Sequence, residues 1–215
     1  MGSRPAPARR RGGPARRDGA VGERRGAVAA VALRGGPAGP GIGSGLVDVS
    51  ELLVETYDRL PDLVRGAVEG LTPQQLSWAP AVGANSIGWL VWHLTRIQDD
   101  HIADILGQDQ IWVSGDWARR FALDPDPANT GFGHSAEDIA TVQPESDAAL
   151  IDYYEAVHAR TRDLLRGLTA NELDRIVDES WQPPVTLGVR LVSIVNDDAQ
   201  HVGQAAYLRG LQSAG

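Results

Sequence analysis

The 215 residues include no cysteine and no lysine, and only two phenylalanines and one methionine. Without cysteine there is no disulfide framework, no thiolate nucleophile and no thiolate metal ligand, so any metal must be held by histidine and carboxylate. All positive charge is arginine, a usage that fits a GC-rich genome. No stretch approaches the roughly 20 apolar residues needed to span a bilayer, and there is no secretory apolar region with a small-residue cleavage site. The chain is expected to be soluble and cytoplasmic. Familiar catalytic signatures are also missing. The run Gly41-Ile42-Gly43-Ser44-Gly45 does not follow a strand, so it fails as a phosphate loop. The folded part has no Gly-x-Ser-x-Gly elbow, and no His-Glu-x-x-His zinc motif appears.

The charge that is present is unevenly spread. The net value is −8, yet residues 1–46 carry nine Arg against only Asp18 and Glu23. That segment has no hydrophobic period, no aromatic residue and many helix breakers, so it cannot bury enough apolar surface to offset chain entropy. It is expected to be a disordered Arg/Gly/Pro-rich tail. Its Arg runs fit a nucleic-acid arm, a transit peptide, or translated upstream DNA with the true start at Val47; the last is preferred. Residues 47–215 are strongly acidic, which argues against nucleic acid as the folded part's partner.

From Val47 onward four segments place apolar residues at alternating three- and four-residue spacing, the pattern of amphipathic helices around one core. The first is predicted over Asp48–Gly70, with Leu53, Tyr57, Leu60, Val64, Ala67 and Leu71 on its stripe. A short turn is expected at Thr72-Pro73-Gln74-Gln75, where Thr72 caps and Gln75 stands three residues later. The second helix begins at an Asn85 or Ser86 cap and ends at Gly107. A connection from Gln108 to His134 follows, long enough to suggest a lid or crossover. The third helix is predicted over Pro144–Leu168, another short turn at Thr169 to Glu172, and the last helix from Thr186 to about Leu211. No strand pattern competes, so the expected fold is all-α, a four-helix bundle.

The informative residues are polar ones where the period demands apolar ones, because burying them is costly unless they find partners. In the last helix the stripe through Ile194 continues to Asp197 and His201. These are four apart, about 40° around the axis and one turn along it. The second helix offers His93 beside Leu90 and Ile97. Two imidazoles and one carboxylate suit a divalent ion and leave positions open for water or substrate. Equally, an Asp-x-x-x-His pair can be a buried hydrogen bond with no metal. His101 lies roughly 12 Å along the axis from His93, so the two cannot share an ion. His134 reads as a cap neighbour and His158 as a surface residue. Asp99, Asp100 and Asp198 are expected to face solvent or support the ligands, with Arg96 and Asp100 as an i,i+4 pair. Trp112, Trp117, Arg119 and Arg120 on the connection are candidates to wall a substrate cleft, the Arg side chains meeting carboxylates.

The segment Asn85-Ser86-Ile87-Gly88-Trp89-Leu90-Val91-Trp92-His93-Leu94, with Leu76-Ser77-Trp78-Ala79-Pro80 before it, resembles the DinB-like superfamily. So does Asp197-Asp198-Ala199-Gln200-His201-Val202-Gly203-Gln204. The superfamily includes mycothiol- and bacillithiol-dependent transferases and isomerases. The resemblance implies an up-down-down-up bundle, often a homodimer, whose divalent ion is held here by His93, Asp197 and His201. At Asp197 many relatives have His, so Zn, Ni, Fe and Mn all stay open. It further implies that the ion activates a low-molecular-weight thiol such as mycothiol for transfer to small electrophiles. The absence of cysteine fits a nucleophile brought in from outside. A non-catalytic metal- or ligand-binding stress protein is the other expectation, and a regulatory module docking a partner on the bundle face is a third.

Overall fold

The computed structural model describes residues 48–214; the expected tail and the Val47 start lie outside the described residues. The helices are α1 (Val49–Tyr57), α2 (Leu60–Val68), α3 (Pro73–Ser77), α4 (Ile87–Leu106), α5 (Ala136–Thr141), α6 (Asp147–Arg166) and α7 (Leu187–Ala214). Strands β1 (Ile176–Asp178) and β2 (Val185–Thr186) lie between α6 and α7. Local sequence explains most boundaries. Ser86 caps α4 by accepting from the Trp89 N–H at 3.1 Å, and Gly107 ends that helix with φ 63°, which a residue without Cβ adopts freely. Thr72 and Gln75 cap each other reciprocally, as do Ser135 with Asp138 and Thr169 with Glu172.

The expected first helix is two. Pro61 has no N–H to bond the carbonyl four residues earlier, and its ring crowds that carbonyl. So α1 ends at Tyr57 with Asp58 as its cap, and α2 restarts with Pro61 in its first turn. Both halves still bury the predicted stripe, including Tyr57, Leu60, Val64 and Ala67. A second correction is the antiparallel pair β1–β2, with Ile176 opposite Thr186 and Asp178 opposite Val185. Strands this short carry no visible alternation. The third helix starts later than predicted, with Ser146 as its cap.

Long-range contacts give the helix directions. Ser50 Oγ donates to the Leu165 carbonyl at 2.7 Å and the Gly70 N–H to Asp147 at 2.6 Å, so the α1–α2 unit runs antiparallel to α6. Tyr57 Oη donates to the Leu191 carbonyl, and Arg209 to that of Gly66, so the same unit runs parallel to α7. On α4, His93 meets His201 of α7 while His101 meets Arg190, so this pair is antiparallel. The order is therefore up-down-down-up. Since α4 and α6 run the same way, the chain must cross the length of the bundle between them. Residues 107–146 do this.

That crossover is held down rather than loose. It contains 3-10 turns at Ile111–Val113 and Ala118–Phe121 within the expected connection, and the short α5 just beyond it, for which no element was expected. Trp112 is fully buried against Phe121 and Tyr153, and Trp117 packs on Tyr153. Arg119 pairs with Asp116 and Glu145, while Arg120 pairs with Glu145 and Asp152. Trp112 therefore does not wall a cleft, and both arginines are engaged by the protein's own carboxylates.

Candidate metal centre

The α4–α7 seam brings together the three residues singled out by their spacing. His93 is buried on α4, and Asp197 and His201 stand one turn apart on α7. One donor atom from each lies within 4.8 Å of the others. Among the described residues no other trio of His, Asp and Glu converges in this way.

Hydrogen bonds decide which atoms face the seam. The Nδ1 of His93 is 2.6 Å from the Thr130 carbonyl oxygen, and the Nδ1 of His201 is 2.9 Å from that of Asp197. A carbonyl only accepts, so both Nδ1 atoms carry a proton, and in the neutral ring each Nε2 keeps a lone pair. Asp197 contributes a further sign. Its Oδ2 is closed off from solvent and has no hydrogen-bond partner among the described residues. An orphaned buried acceptor costs free energy, and a cation relieves that cost. The donor set of two imidazoles and one carboxylate thus fits a divalent ion, with imidazoles tied to carbonyls as metal-bound histidines usually are.

Electrostatics favour the ligating form of His93. Burial pushes its pKa below the ordinary imidazole value of 6.5, and the neighbouring His201 and His134 push the same way. The Thr130 carbonyl and Asp197 oppose them. A neutral ring can bind an ion without first losing a proton. On the α7 side the cluster is accessible, since the side chains of Asp197 and His201 are 31% and 19% exposed.

Aromatic rings brace the cluster. Trp89 stacks on His93 with centroids 4.6 Å apart and planes 14° from parallel. Its Nε1–H donates to His134 Nδ1 at 3.2 Å, which leaves His134 Nε2–H to donate to Asn129 Oδ1 at 2.9 Å. His134 is therefore part of the wall behind His93, not the cap neighbour expected. His101 stands apart as its spacing required, 3.0 Å from Arg190 Nη1, which in turn is steered by the β1 residue Asp178. His158 is a half-buried partner of Asp58 rather than a surface residue.

Spacing singled out neither Thr130 nor Gly131, and it paired Arg96 with Asp100. Arg96 is fully buried and pairs with Asp99, while Asp100 accepts from Gln110 instead. Asp198 is buried as well, and neither carboxyl oxygen has a partner among the described residues. An Arg within a helical run reads as solvent-facing, so the only available signal was the long connection that has to fold over it.

These features define a DinB-like four-helix bundle with a His, Asp, His cluster between its second and last long helices. The mycothiol-S-transferase family matches residues 52–214, and the chain belongs to that family. It is also similar to a solved structure described as the crystal structure of the conserved protein of locus from Enterococcus faecalis. The two share 33% identity and a TM-score of 0.72 over 79% of this chain and 100% of the other. No curated protein matches the chain. No described helix is long and apolar enough to cross a membrane.

Proposed function

We propose that the protein is a divalent-metal-dependent thiol S-transferase or isomerase acting on small electrophiles, with His93, Asp197 and His201 as its metal ligands. The observation that carries this reading is the convergence of three donor atoms within 4.8 Å, with both Nδ1 protons committed to backbone carbonyls. An ion held there would supply Lewis acidity, the chemistry that brings the pKa of a thiol down toward neutral.

The chain's own residues account for the rest. Nε2 of His93 and of His201 and the carboxylate of Asp197 would hold the ion, and the Thr130 carbonyl and the Trp89 face keep the His93 ring from turning away. The exposed side of Asp197 and His201 is where thiol and electrophile enter. The chain has no cysteine, so the nucleophilic sulfur arrives on a low-molecular-weight thiol in the cytoplasm. Family membership supports mycothiol as that thiol. Two imidazoles and a carboxylate accept Zn, Ni, Fe or Mn.

Elemental analysis of protein purified without chelator, followed by thiol-consumption assays with mycothiol, bacillithiol and glutathione across a panel of electrophiles, tests the proposal. One divalent ion per chain and turnover with one of these thiols is the expected result. A bound ion with no thiol consumed leaves a passive metal-binding protein, and the absence of any ion removes the metal reading altogether.

A further inference from the structure

We infer that Arg96 and Asp99, buried one and two turns along α4 from His93, are positioning residues for that ligand. They hold the crossover so that the Thr130 carbonyl locks the His93 ring. The inference rests on the proposed role of His93 as a metal ligand.

Asp99 fixes the crossover where it leaves α4. Its carboxylate accepts the backbone N–H groups of Ile111 at 2.9 Å and Trp112 at 2.8 Å, and the Tyr153 hydroxyl at 2.8 Å. Arg96 fixes it where it returns. Its Nε donates to the Asn129 carbonyl at 3.1 Å, and its Nη2 to the Pro127 carbonyl at 3.0 Å and to Gln110 Oε1 at 2.7 Å. Its Nη1 reaches Tyr153 Oη at 3.2 Å, and the guanidinium lies 4.9 Å from the centre of the Trp112 ring. The residue after Asn129 is Thr130, whose carbonyl sits 2.6 Å from His93 Nδ1.

The guanidinium thus grips two carbonyls, of residues 127 and 129, immediately before the one that the ligand uses. A planar fork can do this where a single ammonium cannot hold both acceptors in a fixed plane. Stability alone is a poor reason for this arrangement. Apolar side chains of similar volume commonly serve a core as well as a buried ion pair, because both charges must be stripped of water. Arg96 and Asp99 supply a rigid register between α4 and the returning chain. That register sets the tautomer and direction of the His93 ring.

The test uses the full chain with Arg96→Lys, which keeps the charge and removes the fork. Co(II) affinity is measured by competition with a chromophoric chelator on protein shown to be folded by circular dichroism. Ring nitrogen shifts of His93 are read by 15N NMR without metal. Arg120→Lys, also on the crossover but paired at the surface, is the control. Positioning predicts an affinity loss of about 10- to 100-fold, as for other groups that orient metal-bound histidines, with Arg120→Lys unchanged. It also predicts that His93 no longer populates a single Nδ1–H tautomer.

If Arg96→Lys melts lower yet binds Co(II) like the parent and keeps the tautomer, the pair is merely structural and the inference falls. If Arg96→Lys does not fold, Gln110→Ala removes one guanidinium acceptor from a partly exposed site. A smaller shift of both readouts in the same direction then upholds the inference, and parental values overturn it. A parent protein that binds no Co(II) refutes the proposed function instead, while the metal-free tautomer measurement still decides the role of Arg96.

Discussion

A Cβ built on Gly131 would stand 2.7 Å from Nδ1 of His93 and 2.9 Å from the Trp92 ring, on a backbone already at φ +89°. The site has no room for a side chain there, because Thr130 and Gly131 lie directly against the imidazole. Gly131→Ala must therefore shift either the loop or the ring. The positive φ alone costs about 1–2 kcal/mol for a residue with Cβ, and the displaced carbonyl should lower metal affinity by about tenfold or more. Thermal melting and metal titration on the same variant check both. Unchanged affinity would mean that the loop does not orient His93.

Removing the ion should be visible without any assay of turnover. A ligand that binds only the native state stabilises it by about 2.7 kcal/mol when free ligand is a hundred times its Kd. Chelation of purified protein should lower the melting temperature, and added Zn or Ni should restore it. In His93→Ala the same chelator should change nothing. If the variant responds to chelator as strongly as the parent, the ion is bound elsewhere.

The bundle and its cluster were legible for different reasons. Helix periodicity exposed His93, Asp197 and His201 because each interrupts an apolar stripe, and helical rise alone separated His101 from them. The break at Pro61 was missed in the helix expected over Asp48–Gly70, although a proline that far inside a helix cannot complete its hydrogen bond. The residues that orient the cluster left no such trace. Thr130, Asn129 and His134 reach α4 through a crossover without periodicity; the first two act on His93 and Arg96 through their own backbone carbonyls, which sequence does not mark, and His134 bonds the side chains of Trp89 and Asn129. Arg96 was misread because a charged residue in a helix is usually solvated. Its burial depends on Asp99 one turn further along α4 and on the Tyr153 and Gln110 side chains arriving from elsewhere.

Acid should weaken the fold in part through His158. Burial lowers its pKa below the ordinary 6.5, with Arg162 pushing the same way and Asp58 and Glu155 opposing. The unfolded chain therefore takes up a proton, in a window opening just below 6.5, that native His158 refuses. Stability from this site is present above the ordinary value and lost as pH falls through the lowered one. His158→Gln removes that dependence. Urea unfolding of metal-free protein should show the gap between variant and parent closing in the variant's favour as pH drops below 6.5. A gap constant with pH would show that His158 is not held neutral.

Asp198 predicts a substitution that stabilises. Its carboxyl is buried beside Tyr57 and Tyr154, neither oxygen has a partner among the described residues, and the Tyr154 hydroxyl also lacks one. Burial, and then the charge of Asp197, push its pKa well above 3.8. A raised carboxyl pKa means that the native state keeps a proton which the unfolded chain releases, so stability falls as pH rises above 3.8 through the native value. Asp198→Leu fills similar space without the unpaired polar atoms. Relieving an unsatisfied buried group is worth about 1–3 kcal/mol, so the metal-free variant should melt higher near neutral pH. The advantage should shrink as pH falls through 3.8, below which the parent's carboxyl is neutral in the unfolded chain as well. A lower melting temperature at neutral pH would show that internal water or a partner satisfies Asp198 in solution.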